Sequence, residues 1–392
     1  MSAMRLQALI NSSGEMMVKI FLTGMTGLVG SALTTAILSH RPDYRIVTLV
    51  RRNAVASARE RVENIIREQC AYDGHPEVAD QVLSLIEVME GDVVGSDVDQ
   101  LAQNPVLQGI DTFFHCAADV NLGKDPEKKT YNINFNGTKN MLALAKKMGC
   151  REFHYVSTAY VAGKKVGLAQ EDELVDSGFN NSYECSKFHA EEMVRHSGFK
   201  FTIYRPAIIV GRLSDGKVRR PLAFYRILEF MAKLKSHQCA KLKQNPTEWL
   251  KMAMRFQTYP SETVYFVPID YVVESIHRLF FQPVCNRTYH VTGSSPVSVH
   301  DIARNIANTL KIDGVKVQEN VSDPTPDEKL VNRFLGDLLP YYSSRIIFDQ
   351  HNIREALGDE FISWHFDDKH LGIIMREYFR SFFPNVAWLQ QL

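Results

Sequence analysis

Residues 19–33, KIFLTGMTGLVGSAL, set Gly24, Gly27 and Gly30 between a β-branched apolar run and a helix-like stretch. A packed core seldom uses so many residues without side chains, so the spacing implies that something approaches the backbone closely. A turn that leaves a strand and opens a helix aims backbone N–H groups at whatever lies above it, and the helix dipole favours an anion there. Without Cβ atoms at these three positions, a pyrophosphate can reach the backbone while the helix packs close to the sheet.

The turn opens a series. Strand-like runs VKIFLTG, RIVTLVRR, SLIEVMEGD, DTFFHCAA, REFHYVST and KFTIYRPAIIVG alternate with helix-like stretches SALTTAILSH, ARERVENIIREQC, NGTKNMLALAKKMGC and SYECSKFHAEEMVRHSG. Apolar strands alternating with helices predict an α/β fold, a doubly wound parallel sheet of Rossmann type. After Gly211 the character changes. Residues 212–255 carry eleven Lys/Arg against three Asp/Glu, and FYRILEFMAKL and PTEWLKMAMRF read as helices. VYFVPIDYVVESIHRLF and TYHVTG read as returns to the sheet, SVHDIARNIANTL as a serine-capped helix, and HLGIIMREYFRSFFP as an aromatic amphipathic helix. The expected organisation is a flexible extension over 1–16 and a dinucleotide-binding domain over 17–211, with a return segment at about 262–293. A smaller, mostly helical substrate lobe would then be built from 212–261 and 294–392.

The 45 basic and 45 acidic residues cancel, so net charge gives no support for a nucleic-acid or membrane-surface protein. No apolar run reaches the roughly 18–20 residues that span a bilayer, and MSAMRLQALINSSGE is too weakly basic and apolar for a secretory signal. Cys70, Cys116, Cys150, Cys185, Cys239 and Cys285 show no CxxC pair and read as reduced thiols of a cytoplasmic protein. The thirteen histidines include no HExxH or tight His/Cys cluster, so no metal is expected.

Two further features carry chemistry. The second strand-like run ends in LVRRN, offering Arg51 and Arg52 where an acidic residue would bind a ribose 2′-hydroxyl. Arginine suits a 2′-phosphate, which favours NADPH/NADP over NAD. Tyr183 and Lys187 are four apart, so on a helix they share a face, and an ammonium beside the phenol would lower its pKa from about 10. Tyr183 could then donate a proton to a carbonyl oxygen receiving hydride, with the Thr158 hydroxyl bonding the same oxygen. Ser157 is adjacent and offers a second hydroxyl. Cys185 reads as packing, His115 as a core or strand-end histidine, and Asp119 as a loop cap or a pocket polar group.

TGMTGLVG, FHCAADV, INFNGT, YVSTAYVAG, YECSK and YRPAIIVG occur in one order over roughly residues 17–300. This order resembles the extended short-chain dehydrogenase/reductase family. The resemblance implies catalytic roles for Thr158, Tyr183 and Lys187, with Asn134 as a structural and proton-relay asparagine. It implies a cofactor site of Thr23, Gly24, Thr26, Gly27, Leu28, Val29, Gly30, Arg51, Arg52, Asp92, Val93, Ala117, Ala118, Tyr183, Lys187 and Pro206, with Asp92 at the adenine edge. FHCAADVNL and HYVSTAYVAG resemble most the thioester reductase and fatty acyl-CoA reductase branch, also called the male-sterility type. That branch implies an NADPH-dependent reductase of acyl-CoA or carrier-protein-bound acyl thioesters. Lys217, Arg219, Arg220, Lys233, Lys235, Lys241 and Lys243 would attract coenzyme A phosphates or an acidic carrier protein. Phe379, Phe382, Phe383 and Trp388 read as lobe core or pocket wall rather than a membrane anchor. A sugar-nucleotide epimerase or dehydratase, or another small-carbonyl oxidoreductase, would use the same Thr/Tyr/Lys set. A dinucleotide sensor without chemistry would need none of the three. Extended-family relatives are often dimers, but no feature of the chain establishes a seam.

Overall fold

The computed structural model describes residues 17–259 and 262–392; the extension expected over 1–16 lies outside the described residues. Seven parallel strands form the central sheet: β1 (Val18–Thr23), β2 (Tyr44–Val50), β3 (Ile86–Glu90), β4 (Thr112–His115), β5 (Glu152–Val156), β6 (Lys200–Pro206) and β7 (Arg287–Val291). Their order is β7-β6-β5-β4-β1-β2-β3. β1 lies between β2 and β4, so the chain crosses in opposite directions on either side of it, and a crevice opens above the carboxyl ends of those strands.

Strand alternation divides the core between the two faces of the sheet. Ile20 and Leu22 of β1 join Val29, Leu33 and Ile37 of helix α1 (Leu28–His40) and Val62 and Ile66 of α2 (Ala58–Asp73). Phe21, between them, joins Val47, Phe113, Phe153, Leu144 of α3 (Gly137–Met148) and Val194 of α4 (Ser182–Arg195). Phe21, Phe113 and Phe153 form a row across β1, β4 and β5 with ring centroids 4.7 and 5.1 Å apart. Each such pair adds about 1 kcal/mol beyond its buried area. The helix ends are chemically marked. Ser57 and Glu60 form a capping box at the start of α2, and Gly74 ends it in the left-handed conformation. Asn181 caps α4 by accepting from the Glu184 N–H, and Ser298 caps Val299–Thr309.

Beyond Gly211 the structure departs from expectation in two places. WLKMAMRF does not continue a helix. Leu250–Gln257 is a strand, parallel to Ile312–Gln318, in which buried Leu250, Met252 and Met254 alternate with exposed Lys251 and Ala253. The two-residue period outweighs the helix-favouring Leu, Lys, Met and Ala. In the second, the strand content of VYFVPIDYVVESIHRLF is confined to Val264, in a short antiparallel pair with Val297, and Phe266–Pro268, paired parallel with Ile208–Val210; Ile269–Phe280 is helix α5. Its buried Ile269, Val272, Ile276 and Leu279 recur at helical spacing that the β-branched residues obscured. The lobe is therefore helical with strand pairs, among them Val166–Ala169 with Arg345–Phe348. Phe379 and Trp388 are buried in its core, Phe383 packs against it, and Phe382 is exposed. No helix among the described residues is long and apolar enough to cross a membrane.

Candidate active site

The three glycines serve three purposes. Gly24 turns the chain at φ +82°, and a Cβ there would lie 2.6 Å from the Ala117 nitrogen at the end of β4. A Cβ on Gly30 would lie 2.2 Å from the Gly24 carbonyl oxygen, so the helix could not close onto the turn. Gly27 is different. Its nearest neighbour would be the Gly24 oxygen at 3.1 Å, so packing is less strict there and the bare backbone faces outward. Gly27 is the N-cap residue of α1, which has no capping side chain and no acid in its first turn. Its dipole and free N–H groups, beginning at Leu28 and Val29, are left for an external anion, the fit a dinucleotide pyrophosphate requires.

Thr23 is fully buried and does not face that space. The Thr138 hydroxyl donates to the Asn134 carbonyl (2.6 Å), so His115 Nε2–H must donate to Thr138 (3.0 Å). Nδ1 is then the acceptor for the Thr23 hydroxyl (2.7 Å), whose oxygen also accepts from the Ala117 N–H (3.3 Å). Burial pushes the His115 pKa down to about 3, which keeps the ring neutral. His115 is thus the core histidine expected, and Thr23 supports the turn from below.

Asn134 lies in a single π turn, Asn132–Asn136, before α3. Its Oδ1 accepts from the Asp119 N–H (2.8 Å), and its amide donates to the Asp119 carbonyl (3.0 Å) and to Ser186 Oγ (3.0 Å). The asparagine therefore fastens the loop after β4 to α4. Asp119 accepts from the Thr130 hydroxyl (2.7 Å), a loop-holding role.

The two hydroxyls after β5 diverge. Ser157 Oγ donates to Glu191 (2.7 Å), a buried carboxylate that also receives Arg205 (2.6 Å) and Arg195 (2.9 Å). Thr158 turns the other way, and its hydroxyl acts to lower the pKa of the Tyr183 phenol. Its hydroxyl has the Pro206 carbonyl at 3.4 Å and caps the turn at the Tyr160 N–H (3.3 Å). The buried ion pair occupies Ser157, which leaves Thr158 as the hydroxyl at the phenol.

Lys187 shares α4 with Tyr183, as the four-residue spacing predicts. Its ammonium donates to the Val156 carbonyl (2.6 Å) and lies 4.1 Å from the centre of the Tyr155 ring. Burial pushes its pKa down to about 7. Tyr183 itself keeps a partly exposed face, yet burial raises its pKa above the ordinary value, and the Thr158 hydroxyl works in the opposite direction. Burial thus works against the lowering expected from Lys187, and the proton stays on Tyr183 at neutral pH. Cys185 is partly buried within α4, and Cys116, at the end of β4, is pushed up to about 11 by burial.

At the ends of β2 and β3, Arg51 pairs with Asp92 (3.2 Å) and Arg52 approaches Glu90 (3.9 Å). Asp92 also accepts from the Val94 (2.7 Å) and Gly95 (3.0 Å) N–H groups, so its carboxylate closes its own turn. Val93 sits beside Gly137, where a Cβ would meet its Cγ2 at 2.9 Å. Ala117 is partly buried beside the glycine turn, and Ala118 is exposed.

Of the cations assigned to the lobe surface, Lys235 is fully buried and donates to the Leu310 (2.6 Å) and Glu248 (2.9 Å) carbonyls. It cannot attract a phosphate from solvent. Arg219 and Arg220 lie instead at the glycine turn, bonding the Gly27 (3.3 Å) and Thr26 (3.1 Å) carbonyls. The sequence reading also missed Arg61, which donates to the Arg51 carbonyl, because it stands in a helix full of other charges.

A nonribosomal peptide synthetase, asaC of Aspergillus flavus, is 25% identical over 87% of this chain and 34% of its own length. Fatty acyl-CoA reductase 1 of Xenopus laevis is 27% identical over 48% of this chain and 43% of its own length. The chain thus spans about a third of the first of these relatives and under half of the second. The crystal structure of the terminal R domain from the myxalamid PKS-NRPS biosynthetic pathway shares the fold, with a TM-score of 0.72 at 22% identity; it covers 94% of this chain and 92% of that one. Residues 22–276, more than half of the chain, match the model of a nicotinamide-dinucleotide-binding domain described as male sterility protein. That span runs from the end of β1 into α5 and takes in the glycine turn, Thr158, Tyr183 and Lys187, and the chain belongs to the male sterility protein family of extended short-chain dehydrogenase/reductases.

Proposed function

We propose that the chain is an NADPH-dependent reductase that converts an acyl thioester, on coenzyme A or a carrier protein, to the aldehyde or alcohol. The N-terminus of α1 at the glycine turn, with no capping side chain or acid and so open to a pyrophosphate, together with Thr158 standing clear of the Glu191 ion pair that occupies Ser157, is the observation that carries this reading. A nicotinamide dinucleotide held by the glycine turn, with Arg51 and Arg52 toward its 2′-phosphate, supplies the hydride. Tyr183, a phenol protonated at neutral pH and kept so by burial, gives its proton to the acyl carbonyl oxygen. Thr158 orients that oxygen and the phenol together. Lys187, held at the Val156 carbonyl, titrates near neutral pH and so can hold the proton that returns to the phenol after turnover. Hydride on the carbonyl carbon and a proton on its oxygen give a hemithioacetal, which expels the thiol and leaves the aldehyde. A second round reduces the aldehyde to the alcohol.

Relatives named as a fatty acyl-CoA reductase and a peptide synthetase support the thioester as substrate class. The test is cofactor oxidation by the purified protein with NADPH and, in turn, acyl-CoAs, acyl carrier thioesters, sugar nucleotides and simple aldehydes. Turnover with thioesters is expected, and turnover confined to sugar nucleotides refutes the reading. Tyr183→Phe should bind cofactor and lose at least about 10²-fold in turnover; unchanged activity would remove the proposed acid.

A further inference from the structure

The chain passes from the sheet into the lobe through residues 211–222, and this strap does not simply link them. Tyr72 Oη of α2 donates to the Lys217 carbonyl (2.8 Å), and Arg212 donates to the Tyr72 carbonyl (2.8 Å). Gly216 packs so tightly on the C-terminal helix Asp368–Phe382 that a Cβ would lie 2.8 Å from the Ile373 carbonyl oxygen. The strap is therefore anchored to both the dinucleotide half and the lobe.

Between these anchors, two consecutive arginines reach the glycine turn. The Arg219 side chain is only 3% exposed. It bonds Ser31 Oγ (2.5 Å) and the Gly27 carbonyl (3.3 Å) of α1, and Gln69 Oε1 (3.0 Å) of α2. Its buried Nη1 has no hydrogen-bond partner, with Glu68 Oε1 at 3.5 Å. Arg220 is exposed and hydrogen-bonds the Thr26 carbonyl, one residue before the N-cap of α1. Arg61, near the start of α2, feels both Arg220 and Arg51 as like charges, and Arg51 is itself paired with Asp92 (3.2 Å). Exposed guanidinium groups converging over a helix N-terminus form an anion site whose cations come from both halves of the molecule.

We propose that the strap belongs to the cofactor site, with Arg220 as a ligand of the 2′-phosphate of NADPH and Arg219 as the buried positioning residue that holds it over the turn. This rests on the NADPH reading above and extends it: the lobe that would hold the acyl group also grips the cofactor, so dinucleotide binding fixes the position of that lobe.

The test is equilibrium binding of NADPH, NADH and 2′,5′-ADP to the whole chain and to Arg220→Ala. A parallel trypsin digest follows the cut after Lys217, since the Arg220–Pro221 bond resists the protease. Arg220→Ala should melt with the wild type, because the side chain is exposed. It should bind NADPH and 2′,5′-ADP about tenfold more weakly, equivalent to about 1.4 kcal/mol, with NADH affinity within about twofold of wild type. In the wild type, 2′,5′-ADP should slow the cut after Lys217 and 5′-AMP should not; in Arg220→Ala that protection should be lost. Unchanged 2′,5′-ADP affinity in Arg220→Ala overturns the proposal, and so does an equal loss for NADPH and NADH. A wild type that binds NADH as tightly as NADPH overturns the underlying cofactor reading instead.

Discussion

Ser157 and Thr158 are adjacent hydroxyls at the end of one strand, and the structure assigns them opposite work. Ser157 donates to Glu191, a carboxylate buried with Arg205 and Arg195. A hydrogen bond to a charged group contributes about 1.5–3 kcal/mol. Because both arginines still satisfy Glu191 in Ser157→Ala, the cost should be about 2 kcal/mol. Unfolding entropy scales at about 2.1 cal/mol/K per residue, so for a chain of 392 residues this lowers the melting temperature by roughly 2–3 °C. Turnover should remain within about twofold. Thr158→Val keeps the branched shape and loses the hydroxyl that faces Tyr183. Its costs in stability are the cap on the Tyr160 N–H and the long bond to the Pro206 carbonyl, together about 1 kcal/mol. Removing an oriented donor at the reacting oxygen costs about 10²–10³ in kcat. The pair is read by thermal denaturation and by NADPH consumption on the best thioester. Thr158→Val with kcat within threefold of wild type refutes the assignment. A Ser157→Ala protein that melts normally and is inactive reverses it.

Gly24→Ala should fail to fold or melt far below wild type, since the residue would combine a positive φ with a 2.6 Å contact to backbone. Gly27→Ala should fold and lose at least about tenfold in dinucleotide affinity, measured by fluorescence titration; unchanged affinity would put the phosphates elsewhere. Lys187 has a folded pKa of about 7 against roughly 10.4 unfolded. Between those values the unfolded chain binds a proton that the folded one lacks. Wild-type stability therefore falls as pH drops from 10 toward 7, by up to about 1.4 kcal/mol per unit from this group. Lys187→Met has no such proton, so its urea midpoint relative to wild type should rise as pH falls from 10 to 7, and the opposite trend would contradict the neutral buried lysine. Lys235→Met should change the melting temperature and leave the KM for acyl-CoA within about twofold. A larger KM effect would mean that this buried ammonium reaches substrate.

What the sequence revealed, and what it withheld, follows from the range over which each residue acts. The glycine turn and the strand–helix alternation were readable because turn conformation and burial period are set by neighbours one to four residues apart. Leu250–Gln257 was misread for a related reason: Leu, Lys, Met and Ala favour helix locally, while its pairing partner Ile312–Gln318 lies about 60 residues away. Lys187 illustrates the same limit in chemistry. Four-residue spacing correctly put it on the helix of Tyr183, but which carbonyl takes its ammonium is decided by β5, packed against that helix from about 30 residues earlier. The basic lobe was misjudged in part by the same measure: Lys217, Lys241 and Lys243 are exposed as expected, and three other cations are not where the count put them. Eleven cations in one stretch suggested a surface, yet the fold buries Lys235, carries Arg219 and Arg220 about 190 residues back to the glycine turn, and leaves Lys233 paired with Glu229. Charge counted along a chain says how many cations there are, and only the fold says which of them meet one anion. If Arg220 and Arg51 grip the same phosphate, the signal was present as two separate RR pairs, at 51–52 and 219–220, with nothing in the intervening sequence to say that they converge.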